Sequence, residues 1–221
     1  LDHARGGGSA RTLALMEAAL RAEGHGLVRL RQTPGAARLV VWDDLDPPDA
    51  SAPPPVFDLL ADMDALAAKA RADGVVRLLV NHTIDRPIGI FDWIPHFAAR
   101  LGCPFDIFMH DFYFVCPRVT AVDGEGRYCG LAPVEKCRPC IARWGSEMGG
   151  VDPAAWRAAA LTCVAAADRV FAPSRDTADR LAPFLGAGRC IVWEPERDDA
   201  LPPERRPKLA AGAILRIVTI G

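Results

Sequence analysis

The sequence predicts an α/β protein with a mainly parallel, Rossmann-like sheet flanked by helices. Short apolar runs alternate with stretches of helical period along most of the 221 residues, which is the pattern of repeated strand–helix units. Two of these runs, 75–81 and 105–110, are nearly continuous in apolar residues, as parallel strands buried on both faces are. Both runs end in polar residues, where an open α/β sheet places its chemistry.

The first half of the chain begins with a glycine-rich loop and a helix. Ser9 suits an N-cap, and the helical apolar period after it stops at Gly24. Residues 26–31 and 37–42 are predicted strands, and the acidic, proline-rich stretch 43–55 is a surface loop. Residues 56–73 have the period of an amphipathic helix that ends before Gly74.

The second half continues the alternation of strands and helices. The predicted elements are a strand over 75–81, a helix over 90–101, a strand over 105–110, a helix over 153–167, a strand over 168–174, a helix over 175–185 and a strand over 189–193. Asp152 is the expected N-cap of the third of these helices, with Pro153 at its first position. Ser174 is the expected N-cap of the fourth.

The expected organisation is one Rossmann-like domain over residues 1–193, with a cysteine-rich insertion at 112–150. A charged, proline-rich linker follows at 194–212, and residues 213–221 read as the first strand of a second domain. A glycine loop normally follows the first, central strand of such a sheet, and no such strand precedes this one. The position beside the loop is therefore predicted to be unpaired and to offer a route to self-association, filled in cis or in trans by residues 213–221.

Composition excludes several classes of protein. A net charge of −2 without a cluster of basic residues argues against a nucleic-acid partner. No apolar run reaches the ~18–20 residues of a transmembrane helix, so none is expected. Seven cysteines are an odd number, which disfavours a fully paired disulfide framework. We therefore expect a cytoplasmic protein, with the inner face of the membrane as one setting.

Gly6, Gly7 and Gly8 form the glycine loop at the start of the first helix. Free N–H groups at a helix start, without side chains around them, permit the close approach of a ligand. The dinucleotide fingerprint G-x-G-x-x-G fails because Arg11 occupies the place of its third glycine, which disfavours a nucleotide-dependent oxidoreductase. A tight strand-to-helix turn explains the glycines equally well.

His82 and His110 follow different predicted strands at the same edge of the sheet. A histidine there is able to hydrogen-bond a substrate hydroxyl or to stabilise developing charge near neutral pH. The alternative for both is a histidine that only satisfies nearby backbone groups. Asp111 has two candidate roles, which are to orient His110 or to cap the turn that follows.

Four cysteines follow that edge with the spacing C-x12-C-x7-C-x2-C, at Cys116, Cys129, Cys137 and Cys140. The C-x2-C pair is typical of a knuckle that turns two thiolates onto one cation, and the other two would complete a closed, structural zinc site. Disulfides and free thiols remain alternatives. The other three cysteines lie in apolar or helical contexts and are expected to be core thiols.

Three motifs resemble the N-terminal, acceptor-side domain of GT-B glycosyltransferases of the family 4 type: HARGGGSARTL, MHDFYFVCPR and VFAPSRDTADRL. The resemblance covers roughly residues 3–193. It implies transfer of a sugar from a nucleotide-sugar donor to a glycan or lipid-linked acceptor, with retention and without a catalytic metal. It further implies that His110 contacts the donor sugar and that the glycine loop approaches the donor. Ser174 and His82 match polar strand ends of the family.

The family's donor-binding residues, a basic pair and an E-x7-E-type motif, lie in a second domain that these 221 residues do not include. The isolated chain is therefore expected to be inactive. The competing hypothesis is a zinc-stapled, Rossmann-like binding module without catalysis. The sequence that flanks this domain in its gene discriminates the two, because only an enzyme needs the donor-binding residues there.

Overall fold

The computed structural model describes residues 8–47 and 51–194. Its strands are β1 (Val28–Thr33), β2 (Ala36–Asp44), β3 (Val56–Asp58), β4 (Leu78–Val80), β5 (Phe105–Phe108), β6 (Arg169–Ala172) and β7 (Cys190–Val192). Its helices are α1 (Gly8–Ala22), α2 (Met63–Ala72), α3 (Ile90–Leu101), α4 (Val134–Trp144), α5 (Pro153–Ala166) and α6 (Arg175–Leu185). The predicted alternation of strands and helices along the chain is therefore confirmed from β4 onward.

A parallel sheet of four strands in the order β4-β5-β6-β7 forms the centre of the fold. Val80 lies opposite Ile107, and Ile107 lies opposite Val170, so three strands are aligned across the same layer. These side chains are buried, as their continuous apolar sequence predicts. Helices α2, α3, α5 and α6 flank the sheet, and α3 packs against both α2 and α5. This part is the predicted Rossmann-like α/β arrangement.

The first three strands form a separate antiparallel sheet, which the sequence analysis did not anticipate. β2 lies between β1 and β3 and pairs antiparallel with both. A turn at Pro34-Gly35 joins β1 to β2, and Gly35 has a φ of +74°. Proline followed by a glycine with positive φ suits a tight turn, so the chain reverses at once instead of crossing over through a helix.

The predicted helix over 56–73 is wrong in its first part. Residues 56–58 are the edge strand β3, and the helix begins only at Met63. Asp58 causes the break, because its carboxylate accepts the backbone N–H groups of Leu60 and Ala61 and pairs with Arg38 of β2. An aspartate that bonds nearby backbone donors in this way competes with helix formation.

The caps predicted for the later helices are confirmed. The Asp152 carboxylate accepts from Ala154 N and Ala155 N at the start of α5, with Pro153 at the first helical position. Asp106 secures the opposite, amino-terminal edge of the sheet. It is 3% exposed and pairs with Arg77 and Arg169 at 2.7 and 2.6 Å. Its hydrogen bond raises the pKa of Arg169.

The predictions for residues 195–221, and for the loop before Gly8, lie outside the described residues. The proposed linker, second-domain strand and self-association through the sheet therefore remain predictions. Among the helices that the structure describes, none combines the length and the apolar character needed to cross a membrane.

Candidate functional site

Polar side chains gather where β4 and β5 end, at the edge of the sheet opposite Asp106. The loop after β4 begins Asn81-His82-Thr83, and the loop after β5 begins Met109-His110-Asp111. Asn81, His82 and Thr83 are each at most 5% exposed. Buried polar groups must be hydrogen-bonded to be tolerated, and their partners define the geometry of the site.

The hydrogen bonds at the two ring nitrogens of His82 fix the tautomer of the ring. The backbone N–H of Ile84 donates to Nδ1 over 2.9 Å, so Nδ1 is an acceptor and carries no proton. The proton of the neutral ring is therefore on Nε2, which lies 3.1 Å from Oδ2 of Asp111. His82 thus donates a hydrogen bond to Asp111 and accepts one from the backbone of its own loop. The second contact is the structural role that was the alternative for this histidine.

Asp111 caps the turn after β5 and contacts His82. Its Oδ1 accepts the backbone N–H of Tyr113 over 2.8 Å, and its Oδ2 accepts from His82. The capping role of Asp111 is confirmed. The alternative was that Asp111 orients His110, but the histidine that its carboxylate contacts is His82. The side chain is 27% exposed. Each carboxylate oxygen has a second acceptor position, which lets Asp111 receive a hydroxyl from a bound molecule.

His110 lies beside this pair. Its Nε2 donates to Oδ1 of Asn81 over 2.7 Å, and its ring stacks on Phe108 with centroids 4.3 Å apart. The rings of His110 and His82 are nearly parallel, with centroids 6.2 Å apart. Two histidines from neighbouring strands therefore line one edge, as the sequence predicts, and each is oriented by a side chain from the other strand's loop.

Helix α5 fixes the chain just after Asp111. Trp156 is fully buried, and its Nε1–H donates to the carbonyl oxygen of Tyr113 over 2.8 Å. Tyr113 packs edge-on against Trp156 and lies 5.3 Å from the His82 ring. The site is thus backed by a packed aromatic cluster, which restricts the orientations of the two histidines.

The structure shows a helix-capping role for Ser174 and describes only the last glycine of the glycine loop. Ser174 lies two residues after β6, and its Oγ accepts from Thr177 N as the N-cap of α6. Gly8 is the first residue of α1, and a Cβ added to it would meet nothing within 4 Å. Gly6 and Gly7 lie outside the described residues, so their predicted approach to a donor remains a prediction.

The four clustered cysteines lie in residues 112–150, which we call the cysteine segment. Cys137 and Cys140, the predicted C-x2-C pair, lie on helix α4. Positions three apart share a face of a helix, so the two thiols are neighbours. Cys116 is buried in a small cluster with Ala121 and Leu131. Cys129 is exposed, and its N–H donates to Ala121 O over 2.9 Å.

The cysteines are free thiols in this structure. Burial raises the pKa of Cys116 to about 11, and the charges of Cys129, Cys137 and Cys140 add to that effect. Burial also raises the pKa of Cys137, while the nearby Arg157 opposes the rise. Within residues 8–47 and 51–194, no three His, Cys, Asp or Glu side chains already stand in the arrangement of a metal centre.

The sequence analysis missed the roles of Asn81 and Tyr113. Asn81 is the last residue of the predicted strand 75–81, and its side chain orients His110. Tyr113 supports His82 through its ring and Asp111 through its N–H. The signal for Asn81 was present, because a polar residue directly after a buried strand lies at the same edge as His110. Nothing in the local sequence indicates the contact of Tyr113.

Comparison of the chain with protein-family models, with curated proteins and with solved structures finds no match in any of the three.

Proposed function

We propose that this chain is the acceptor-side half of a GT-B glycosyltransferase of the family 4 type. The parent enzyme would transfer a sugar from a nucleotide-sugar donor to a glycan or lipid-linked acceptor, with retention at the anomeric carbon. One observation carries the proposal: Asn81, His82, His110 and Asp111 form two hydrogen-bonded pairs across the carboxyl ends of β4 and β5. Ligands of open α/β sheets bind outside that edge.

The arrangement suits the recognition of a sugar. His110 is partly exposed and has its ring fixed by Asn81 and Phe108, so it is prepared to contact a sugar near the reacting carbon. Asp111 is held as an acceptor by His82 and Tyr113. A carboxylate in this position would accept a hydroxyl of the sugar or of the acceptor, and its negative charge would favour the positive charge that develops on the sugar ring.

Preorganisation is the physical basis of the proposed catalytic contribution. Groups whose hydrogen bonds are already made need little rearrangement when charge develops, and their effect is greater where water is excluded. The His82–Asp111 pair fulfils this condition because the His82 side chain is only 6% exposed. His82 is therefore a positioning residue in this proposal, while His110 and Asp111 would touch the substrate.

The test uses the product of the complete gene that encodes this chain. It is incubated with a panel of nucleotide sugars, and release of the nucleoside diphosphate is measured with and without glycan and lipid-linked acceptors. We expect turnover of one donor, retention of its anomeric configuration by NMR, and a fall in kcat/KM of about 100-fold or more in His110→Ala. His96→Ala is the matched control, because His96 is exposed on α3 and its Nδ1 contacts Asp92 O of its own helix.

Turnover that is equal in His110→Ala and His96→Ala would overturn the proposed role of this edge. Binding of a nucleotide sugar or glycan without any turnover would favour the competing hypothesis, a Rossmann-like binding module without catalysis. A product of inverted configuration would exclude the retaining reaction.

A further inference from the structure

The cysteine segment places its four thiols on stretches of chain that contact one another. Ala121 and Leu131 pack with Cys116 in one cluster. The backbone of Cys129 bonds to Ala121 over 2.9 Å, and the Cys137 thiol lies 3.5 Å from the carbonyl oxygen of Ala132. These contacts join the stretches of chain that carry Cys116, Cys129 and Cys137, and Cys140 follows Cys137 by one helical turn.

The backbone of the same segment is strained. Val119, Ala121 and Leu131 have φ values of +64°, +55° and +54°, and the described residues include one further non-glycine residue of this kind, Asp85. The left-handed region is unfavourable for a residue with a Cβ and is worst for a β-branched one such as valine. Such conformations persist where the surrounding structure over-determines them, and they cluster at ligand clamps.

Apolar packing is a weak source of that constraint. Beyond the residues that join the main core, the cysteine segment buries Cys116, Ala121 and Leu131 in a small cluster, and Ile141 of α4. Residues 123–130 are almost entirely exposed. A segment of this length with so small a core does not offset the conformational entropy of ordering through burial alone. Small lobes of this kind are commonly stabilised by a metal ion or a disulfide.

Two arginines donate hydrogen bonds to backbone carbonyls of the cysteine segment, and Arg157 also reaches a thiol. Arg157 of α5 donates to the carbonyl oxygens of Val115 and Ala132, and its Nη2 lies 3.5 Å from Sγ of Cys137. Arg118 donates to the carbonyl oxygens of Val122, Trp144 and Gly145. Arg157 is thus placed to partner a thiolate ligand, as residues around metal sites do.

We propose that Cys116, Cys129, Cys137 and Cys140 bind one zinc ion as a closed, structural site. Four thiolates are the ligand set of structural zinc, and the site has no position left for water. On binding, the four thiols release their protons to solvent and four sulfur–zinc bonds form, with no change of oxidation state. The resulting cluster carries two negative charges, which Arg157 partly offsets. The thiols must rotate toward a common point, because they do not yet form a metal centre.

This site would order the segment that directly follows Asp111. The carbonyl oxygen of Phe112 accepts the N–H of Cys116 over 2.7 Å, and Phe112 packs against the cysteine cluster. A zinc ion at Cys116 would therefore fix the chain next to the histidine edge. The zinc proposal is independent of sugar transfer, because its evidence lies in the cysteine segment and its test reads metal and thiols.

The first experiment measures metal content and thiol reactivity on the unmodified 221-residue chain, purified without added metal. We expect about one zinc per chain. About three thiols, those outside the site, should react without a chelator, either in the folded chain or, where they are buried, after unfolding. A strong chelator should release the zinc together with four further reactive thiols, and it should speed proteolytic cleavage within the cysteine segment by about tenfold or more. Replacement of zinc by Co²⁺ should give the visible spectrum of a tetrahedral thiolate site.

A pair of variants tests the ligand assignment. Cys140→Ser should lose zinc or weaken its affinity at least about 100-fold, whereas Cys103→Ser, at a partly buried thiol outside the segment, should keep one zinc. Circular dichroism establishes whether each variant is folded. If Cys140→Ser does not fold, the chelator experiment on the unmodified chain decides the question.

The proposal is overturned if the protein contains no metal and all seven thiols react after unfolding. In that case a chelator would change neither the number of reactive thiols nor the rate at which they react. Iron with inorganic sulfide in place of zinc, or a mass that reveals disulfides among the four cysteines, would overturn it as well. Unchanged zinc content and affinity in Cys140→Ser would show that the metal lies elsewhere.

Discussion

His82 and Asp111 follow neighbouring parallel strands and meet with Nε2 of the histidine 3.1 Å from Oδ2 of the aspartate. The N–H of Ile84 occupies the other ring nitrogen, and the N–H of Tyr113 occupies the other carboxylate oxygen. The pair thereby connects the backbones of two loops through side chains alone. It gives the edge of the sheet a fixed geometry before any ligand is present.

We expect His82→Ala to lower the free energy of unfolding by about 1–3 kcal/mol, because it leaves the buried N–H of Ile84 and one oxygen of Asp111 without their partner. Urea unfolding measures the loss. The control is His96→Ala, at an exposed histidine, which should leave the midpoint unchanged. Nitrogen chemical shifts of the His82 ring should report a proton on Nε2; a proton on Nδ1 would contradict the assigned tautomer.

The bond between His110 and Asn81 should appear as an energetic coupling. The two side chains are 2.7 Å apart, so the effects of Asn81→Ala and His110→Ala on stability should not add. A double-mutant cycle should give a coupling of about 0.5–3 kcal/mol. The same cycle between His110 and His96 serves as the reference. Additive effects at Asn81 and His110 would mean that the bond contributes nothing in solution.

Asp106→Asn should destabilise the sheet without affecting ligand binding. Asp106 is buried and accepts hydrogen bonds from Arg77 and Arg169, and loss of its charge weakens both. We expect the free energy of unfolding to fall by about 1.5–3 kcal/mol. Asp176→Asn is the control, because its pairing with Arg180 is exposed and should not shift the unfolding midpoint. Equal midpoints for both variants would contradict a structural role for Asp106.

Trp156→Phe should loosen the segment after Asp111. The ring remains apolar, but the carbonyl oxygen of Tyr113 loses the donor that lies 2.8 Å away. We expect a loss of about 1–3 kcal/mol in the free energy of unfolding and faster amide exchange around Tyr113. Trp144→Phe is the comparison, since Trp144 is largely exposed on α4. Exchange around Tyr113 that is as slow as in the unsubstituted protein would count against the anchoring role.

Stability should fall at alkaline pH because of Cys163. Burial raises the pKa of this thiol from 9.0 to about 12, so the folded chain keeps a proton that the unfolded chain releases. The contribution is complete below pH about 9 and is lost as the pH rises through about 9–12, with a slope of up to about 1.4 kcal/mol per pH unit. Cys163→Ala should reduce the alkaline slope, because other buried thiols such as Cys116 also have a raised pKa. Parallel pH profiles for the two proteins between pH 8 and 11 would contradict this assignment.

The parallel sheet and its site could be predicted because their signals are local. The apolar runs that become β4 and β5 end in Asn81-His82 and His110-Asp111, and the carboxyl ends of parallel strands meet at one edge. The caps Asp152 and Ser174 follow from contacts within three residues. Such contacts depend on sequence distance alone, so the sequence carries them.

The sequence by itself thus determined the class of fold, the helix caps and which residues share the edge. Tertiary structure decided what those residues contact. Asp111 contacts His82. Asp58 pairs with Arg38 of another strand where a helix was expected. Cys137 and Cys140 lie on a helix. Each outcome depends on groups distant in sequence competing for one hydrogen bond or one packing position. Local propensity cannot rank those competitors, because their distances exist only after the chain has folded.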